Sequence, residues 1–136
     1  MDADMLRRWW RDHGEIDRAV EAARLELGRG ELTAADERVA RLVAALERHF
    51  ATEEQIYFPL AARTSTASAQ LLERARWGHQ ELRDTLADLH ALVDHGEVAM
   101  ARLCLETLFR RLHVHEEEEV SLIVELERLV NAACPG

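Results

Sequence analysis

The chain has 136 residues, of which 48% are hydrophobic, and its formal net charge is -9. This length suits one domain with one core, and the hydrophobic share is too high for a disordered chain. Because nucleic acids and anionic membranes repel an acidic surface, neither is expected as a partner.

Three breaks divide the sequence into four helical segments. They lie at residues 28–30, 64–68 and 94–96, where glycine, serine and threonine gather. Alternating β-branched runs, which would indicate strands, do not occur, and each segment carries apolar residues at helical spacing. The sequence therefore predicts an all-α fold, an up-down-up-down four-helix bundle, as a single domain over residues 1–136.

The apolar stripe of each segment predicts the face that it turns to the core. The first stripe includes Trp9 or Trp10, and we expect both, with Trp77, to pack the end of the bundle. The second stripe runs from Val39 to Ile56. The fourth stripe comprises Leu105, Leu108, Phe109, Leu112, Val120 and Val124.

The two halves of the chain resemble each other. Three short blocks recur in the same order, which suggests two helical hairpins related by a pseudo-twofold axis. The matched residues are His13 with His79, Gly30 with Gly96, His49 with His113, and Glu53 with Glu117. The first two pairs are sixty-six positions apart and the last two are sixty-four apart, so the alignment needs a two-residue deletion.

Histidines from all four helices are predicted to meet at one height in the bundle. Residues equidistant from a hairpin turn lie level with each other, and each histidine also falls on its helix's apolar stripe. Two glutamates follow their histidines by four residues and share the same face. The resulting cluster is His13, His49, Glu53, His79, His113 and Glu117.

A buried cluster of this kind predicts a metal centre in the core, because unpaired carboxylates there would each cost several kcal/mol. Imidazole and carboxylate together suit iron, manganese or zinc. Six donors exceed the four that one tetrahedral ion takes, so they fit two six-coordinate ions.

The fourth helix offers a second histidine–glutamate pair. His115 and Glu119 have the same four-residue spacing as His113 and Glu117. Two residues along a helix correspond to about 200° of rotation, so only one histidine can face the core. Phe109 and Val120 lie on the side of His113, and we therefore favour His113.

Four motifs, DHGEID, RHFATEEQIYFP, WGHQEL and LHVHEEEEVSLI, give the chain a resemblance to the hemerythrin family of the HHE cation-binding type. That family has a histidine on helix one, HxxxE on helix two, a histidine on helix three and HxxxE on helix four. The resemblance implies a non-haem di-iron centre that binds dioxygen, nitric oxide or peroxide, in which an oxo group can bridge the irons. The resemblance favours iron over zinc and manganese. The ligands that it implies are His13, His49, Glu53, His79, His113 and Glu117.

Two departures from the oxygen-carrying branch of that family bear on function. That branch has two histidines four residues apart on its third helix, whereas here Ala75 and Arg83 stand four residues to either side of His79. The last helix has HxxxE where that branch has HxxxxD. One histidine fewer leaves a more open centre, which favours sensing, redox or peroxide chemistry over reversible oxygen transport.

Other polar residues near the histidines have simpler interpretations. Asp17, four residues after His13, could be an extra ligand, but an exposed or salt-bridged aspartate is favoured. Tyr57, four residues after Glu53, could reach the centre, but core packing with a satisfied hydroxyl is favoured.

Three functions fit these features. The first is binding or sensing of a small diatomic ligand, the second is an enzyme that handles peroxide or nitric oxide or repairs iron centres, and the third is a metal store or structural site. We expect a monomer or a homodimer. The N-terminus lacks the apolar run of a signal peptide, and Cys104 and Cys134 are read as free thiols, which together predict a cytoplasmic protein.

Overall fold

A computed structural model describes residues 3–64 and 68–133, and within these ranges the chain is helical apart from short turns. No strand occurs in the described ranges, and the predicted all-α four-helix bundle is confirmed. The helices are α1 (Ala3–Arg29), α2 (Leu32–Thr52), a π-helical turn (Glu53–Tyr57), α3 (Phe58–Thr64), α4 (Ser68–Asp94) and α5 (Val98–Ala133). Since α2, the π turn and α3 follow one another directly, they form one of the four rods.

The rods pack as two hairpins. α1 lies against α2 and α4 against α5, while α2 also packs on α4 and α1 on α5. Both hairpins turn on a glycine with positive φ, Gly30 at 73° and Gly96 at 71°. At each turn the residue after the glycine bonds to a carbonyl five residues back, Glu31 to Glu26 and Glu97 to Leu92. This is a helix end that glycine adopts without steric cost.

A polar layer divides the core into two apolar clusters. The cluster on the side of the hairpin turns spans all four rods and includes Ile16, Leu46, Leu82 and Leu112. The cluster on the other side surrounds Trp9. Its other members are Tyr57, Phe58, Ala61, Leu72, Ala75, Leu122, Ile123 and Leu126. Four histidines and two glutamates fill the level between them.

One spacing relates the buried positions of the two hairpins. The predicted two-residue deletion is wrong, because most buried residues of the first hairpin, through the polar layer, have a buried counterpart sixty-six positions later. Examples from turn to centre are Ala35 with Ala101, Leu42 with Leu108, Leu46 with Leu112, His49 with His115, and Glu53 with Glu119.

The π turn changes that spacing by one residue. The amide of Phe58 bonds to the carbonyl of Glu53, five residues back, so the turn holds one residue more than an α-helical turn. Beyond it the buried positions pair at sixty-five, as for Phe58 with Ile123. Pro59 follows directly, and its ring would clash with a carbonyl in a regular α-helical turn, which favours the wider turn here.

Some predicted core residues lie at the surface. Ile56 and Val124 are exposed, and of the three tryptophans only Trp9 is buried. Cys104 is a free, half-buried thiol, whereas Cys134 lies outside the described residues. Among the described residues, no helix is both long and apolar enough to cross a membrane.

Candidate metal centre

Six buried polar side chains converge in the layer between the two apolar clusters. α1 supplies His13, α2 supplies His49, the π turn supplies Glu53, α4 supplies His79, and α5 supplies two residues. The six are His13, His49, Glu53, His79, His115 and Glu119, and none is more than 6% exposed. A polar group this far from water is costly unless it has a partner.

The six side chains form two groups that share both glutamates. In one group, His13 and His49 face Glu53 and Glu119, and in the other, His79 and His115 face the same two carboxylates. Within each group one donor atom per residue lies within 4.8 Å of the others. Two sites that share both carboxylates are therefore preformed in the bundle.

The shared carboxylate of Glu53 lies between histidines of both groups. Its Oε1 is 3.0 Å from Nε2 of His49 and 3.1 Å from Nε2 of His79. Glu119 Oε1 lies 3.0 Å from Nε2 of His115 and 3.9 Å from Nε2 of His13. Each carboxylate thus touches both halves of the cluster.

The prediction that His113 and Glu117 face the core is wrong. Both residues are exposed, and His113 packs edge-on against Phe109 with ring centroids 4.5 Å apart. The rival pair, His115 and Glu119, is 3% and 1% exposed. The structure therefore brings together four of the six predicted residues and replaces the other two by their neighbours.

The buried face of α5 explains the replacement. Its buried residues alternate at spacings of four and three, the pattern of a helix packed in a bundle. The residues in this line are Ala101, Leu105, Leu108, Leu112, His115, Glu119, Leu122 and Leu126, and Ile123 is also buried beside it. Phe109 and Val120 are only half-buried and flank this line, so they are poor guides to its centre. The alternation was present in the sequence and could have identified His115.

Outer contacts hold the carboxylate and one histidine in place. Trp9 Nε1 donates to Glu53 Oε2 at 3.1 Å. His79 Nδ1 lies 3.0 Å from Glu54 Oε1, and Arg83 binds both oxygens of Glu54 at 2.7 and 3.3 Å. Because a histidine that binds metal through one nitrogen usually donates from the other, these contacts favour Nε2 as the ligand atom of His79.

The two hairpins differ in the support that they give to their second histidine. Nδ1 of His49 lies 3.6 Å from Asp12 Oδ2, which is too long for a direct hydrogen bond but within reach of the charge. At the matching place beside His115 stands Gly78, and a Cβ there would lie 2.3 Å from His115 Nδ1. The glycine therefore admits the His115 ring, and it supplies no carboxylate.

The pKa values of Glu53 and His49 reflect the close contact between buried ionisable groups. Burial opposes a charge on Glu53, but hydrogen bonds from His49 and His79 lower its pKa to about 2. Burial likewise opposes a charge on His49, yet its hydrogen bond to Glu53 and the charge of Asp12 raise its pKa. Without metal, the Glu53 carboxylate thus favours a proton on His49.

Burial keeps the other two histidines with a shifted pKa, His13 and His115, neutral. Burial, with repulsion from His49, lowers the pKa of His13 to about 4, and burial, with repulsion from His79, lowers that of His115 to about 3. Neutral imidazole is the form that binds metal ions. Their nitrogens are therefore available as ligands well below neutral pH.

The metal-free protein is expected to lose stability as pH falls from 6.5 to about 4. The pKa values of His13 and His115 lie below that of the unfolded chain, so the unfolded state binds more protons in this range. Glu116 opposes the trend, because burial raises its pKa to about 7 and the folded state holds its proton in this range, but it is one group against two. The raised pKa of His49 affects stability only above about pH 6.5. Urea denaturation of the metal-free protein at a series of pH values measures the slope. His115→Gln should flatten it, and an unfolding free energy that rises on acidification would contradict the pKa directions.

Two further residues considered as ligands lie outside both groups. Asp17 is exposed, as favoured from the sequence. The hydroxyl of Tyr57 donates to the carbonyl of Met5 at 3.0 Å, and the ring is buried in the apolar cluster. The favoured interpretation of Tyr57, packing with a satisfied hydroxyl, is confirmed.

The arrangement fits a pair of metal ions. Buried atoms that lack a hydrogen bond include both ring nitrogens of His115 and Oε2 of Glu119. His115 Nε2 is 3.0 Å from Glu119 Oε1, but the two are not aligned as a hydrogen bond. Orphaned nitrogens and oxygens at this density are expected where cations take the lone pairs.

Buried histidines and glutamates in the core of a helical bundle define a metal-binding four-helix-bundle protein. The chain belongs to the hemerythrin family, whose family model, the Hemerythrin HHE cation binding domain, matches residues 4–126. No curated protein and no solved structure significantly matches the chain.

Proposed function

We propose that the chain binds two iron ions in its core and uses them to take up a small ligand, dioxygen, nitric oxide or peroxide, in sensing, redox or stress response. The observation that carries the proposal is the pair of buried groups that share Glu53 and Glu119. A donor set of imidazoles and shared carboxylates suits iron.

The proposed ligands are two histidines for each ion and two carboxylates between them. His13 and His49 would hold one ion, and His79 and His115 the other. This gives each ion four protein donors, fewer than the six that iron commonly takes, and so leaves room for a small ligand. A bound iron pair supplies open coordination positions and reversible electron transfer.

The protein's own residues orient the donors and exclude water. Trp9 donates to Glu53 and fixes the rotation of its carboxylate. Phe50 and Phe58 stack on the ring of His79, with centroids 4.2 and 5.1 Å away. Glu54, held by Arg83, accepts from Nδ1 of His79 and raises the basicity of the nitrogen that faces the centre.

Metal analysis and an optical spectrum test the proposal. After purification, and again after anaerobic loading with ferrous ion and exposure to air, we expect two irons per chain with near-ultraviolet charge-transfer bands. A Glu53→Ala/Glu119→Ala variant, which removes both shared carboxylates, should show neither. Bound zinc without such bands, and no uptake of iron, would contradict the proposal and favour a structural or storage site.

An enzyme on the same centre is the second candidate, and its support is the single histidine of the motif in α4, which leaves the centre more open. Stopped-flow mixing of the iron-loaded protein with peroxide distinguishes ligand binding from enzymatic turnover. A saturating single change in the spectrum indicates binding, whereas repeated consumption of peroxide indicates turnover.

A further inference from the structure

A cavity of 550 Å³ lies on the outside of the α4–α5 hairpin, against the ring of His115. This volume is within the range of sites that bind small organic molecules. Its lining includes Arg74, Trp77, Arg110 and Val114, with Gly78 and His115 at its inner side. It is distinct from the space between the four histidines, where the metal ions would lie.

The other hairpin has a smaller cavity at the matching place. That cavity measures 220 Å³ and is lined by Asp12, Ile16 and His49, whose counterparts in the α4–α5 cavity are Gly78, Leu82 and His115. In the smaller cavity the protein itself provides a carboxylate, 3.6 Å from the histidine nitrogen. At the larger cavity a glycine, Gly78, takes the place of that aspartate, and the His115 ring fills the position where a side chain would begin.

The charge around the larger cavity is opposite in sign to that of the whole chain. Three arginines and two glutamates line it, in a protein with a net charge of -9. Arg111 already has partners within the protein, since it binds Glu81 at 2.9 Å and Thr85 at 2.7 Å. Within residues 3–64 and 68–133, neither Arg74 nor Arg110 forms an ion pair. Two guanidinium groups are therefore left to attract an anion.

An apolar wall lies beside these arginines. Trp77 is 69% exposed and Val114 57% exposed, and both border the cavity with the buried side chain of Leu82. An exposed indole is costly in water and offers a flat face for a ring or an alkyl chain. The lining thus combines a cationic rim with an apolar wall.

We propose that this cavity binds a small amphipathic organic anion, a carboxylate or a phosphate monoester. Its anionic group lies between Arg74 and Arg110, and its apolar body packs on Trp77 and Val114. The proposal does not depend on which metal the core holds.

Isothermal titration calorimetry on the full chain as purified tests the proposal with three ligands. They are 4-phenylbutyrate, phenyl phosphate and the neutral 4-phenylbutyramide, which matches the first in shape. We expect at least one anion to bind at least about tenfold more tightly than the amide. The tighter of the two anions then distinguishes a carboxylate from a phosphate ligand.

Charge variants locate the site. Arg74→Gln/Arg110→Gln should weaken binding of the anion at least about tenfold and leave the amide unaffected. Arg41→Gln/Arg128→Gln makes the same change in net charge on side chains that are 63% and 65% exposed and belong to neither cavity, and it should change affinity less than twofold. The proposal is overturned if neither anion binds at millimolar concentration, if the anions bind no better than the amide, or if the first variant behaves like the second.

Discussion

Replacement of His115 by alanine is expected to lower metal affinity at least about 100-fold, whereas replacement of His113 leaves it unchanged. His115 is buried in the core with Nε2 beside the shared carboxylate of Glu119, while His113 is exposed on the surface. The variant removes one of the two histidines of its group and leaves Glu119 without its neighbour. Competition with a chromogenic chelator measures the affinity of each ion.

His113→Ala serves as the matched control, because it removes the same side chain two residues away on the same helix. Circular dichroism of both variants reports whether the bundle remains folded. Equal metal content and equal affinity in His115→Ala and wild type would show that the centre does not use α5 in the way proposed.

Replacement of Gly78 by alanine is expected to lower the free energy of unfolding by about 1–3 kcal/mol and to weaken metal binding. The added Cβ would lie 2.3 Å from Nδ1 and 3.0 Å from Cε1 of His115. The ring cannot yield easily, because it packs against His79 at 4.8 Å and against Phe50 at 6.3 Å between centroids. Either helix α4 moves outward or His115 leaves the position from which it faces Glu119.

Gly28→Ala is the control for Gly78→Ala. Gly28 also lies within a helix, and a Cβ there meets nothing within 4 Å. Alanine should therefore be neutral or stabilise the protein by up to about 1 kcal/mol, since it favours helical backbone. Urea denaturation and metal titration of both variants provide the comparison. A Gly78→Ala protein as stable as Gly28→Ala, with normal metal affinity, would refute the tight contact.

The incorrect choice between His113 and His115 shows how far local patterns can be trusted. Phe109 and Val120 are large and apolar, but they lie at the border of the buried face of α5. The alternation through Leu105, Leu108 and Leu112 continues to His115, and an average over several turns locates the centre of a helix face better than single neighbours. The periodicity of α5 over several turns therefore already distinguishes His115 from His113 in the sequence.

The internal repeat carried the same information. A constant spacing of sixty-six positions joins His13 with His79 and, without a deletion, His49 with His115. A deletion is needed only if His49 is paired with His113 instead of His115. A one-residue change does occur, but it lies after Glu53, where the π turn inserts a residue before Pro59. The positions of apolar residues do not by themselves reveal such an insertion, because they do not show where one turn of a helix is wider than the others.

Residue order alone established the helical class of the protein, the four segments, the family, and four of the six side chains at the centre. Helical periodicity and the cost of burying unpaired charge operate within one helix at a time, so they can be deduced from residue order. The tertiary structure was needed to show that Glu54 and Arg83 support His79, and that the His115 ring fills the place beside Gly78 where the other hairpin has the side chain of Asp12. These features depend on how the four rods are rotated against one another, and that rotation is set by the packing of all the side chains together.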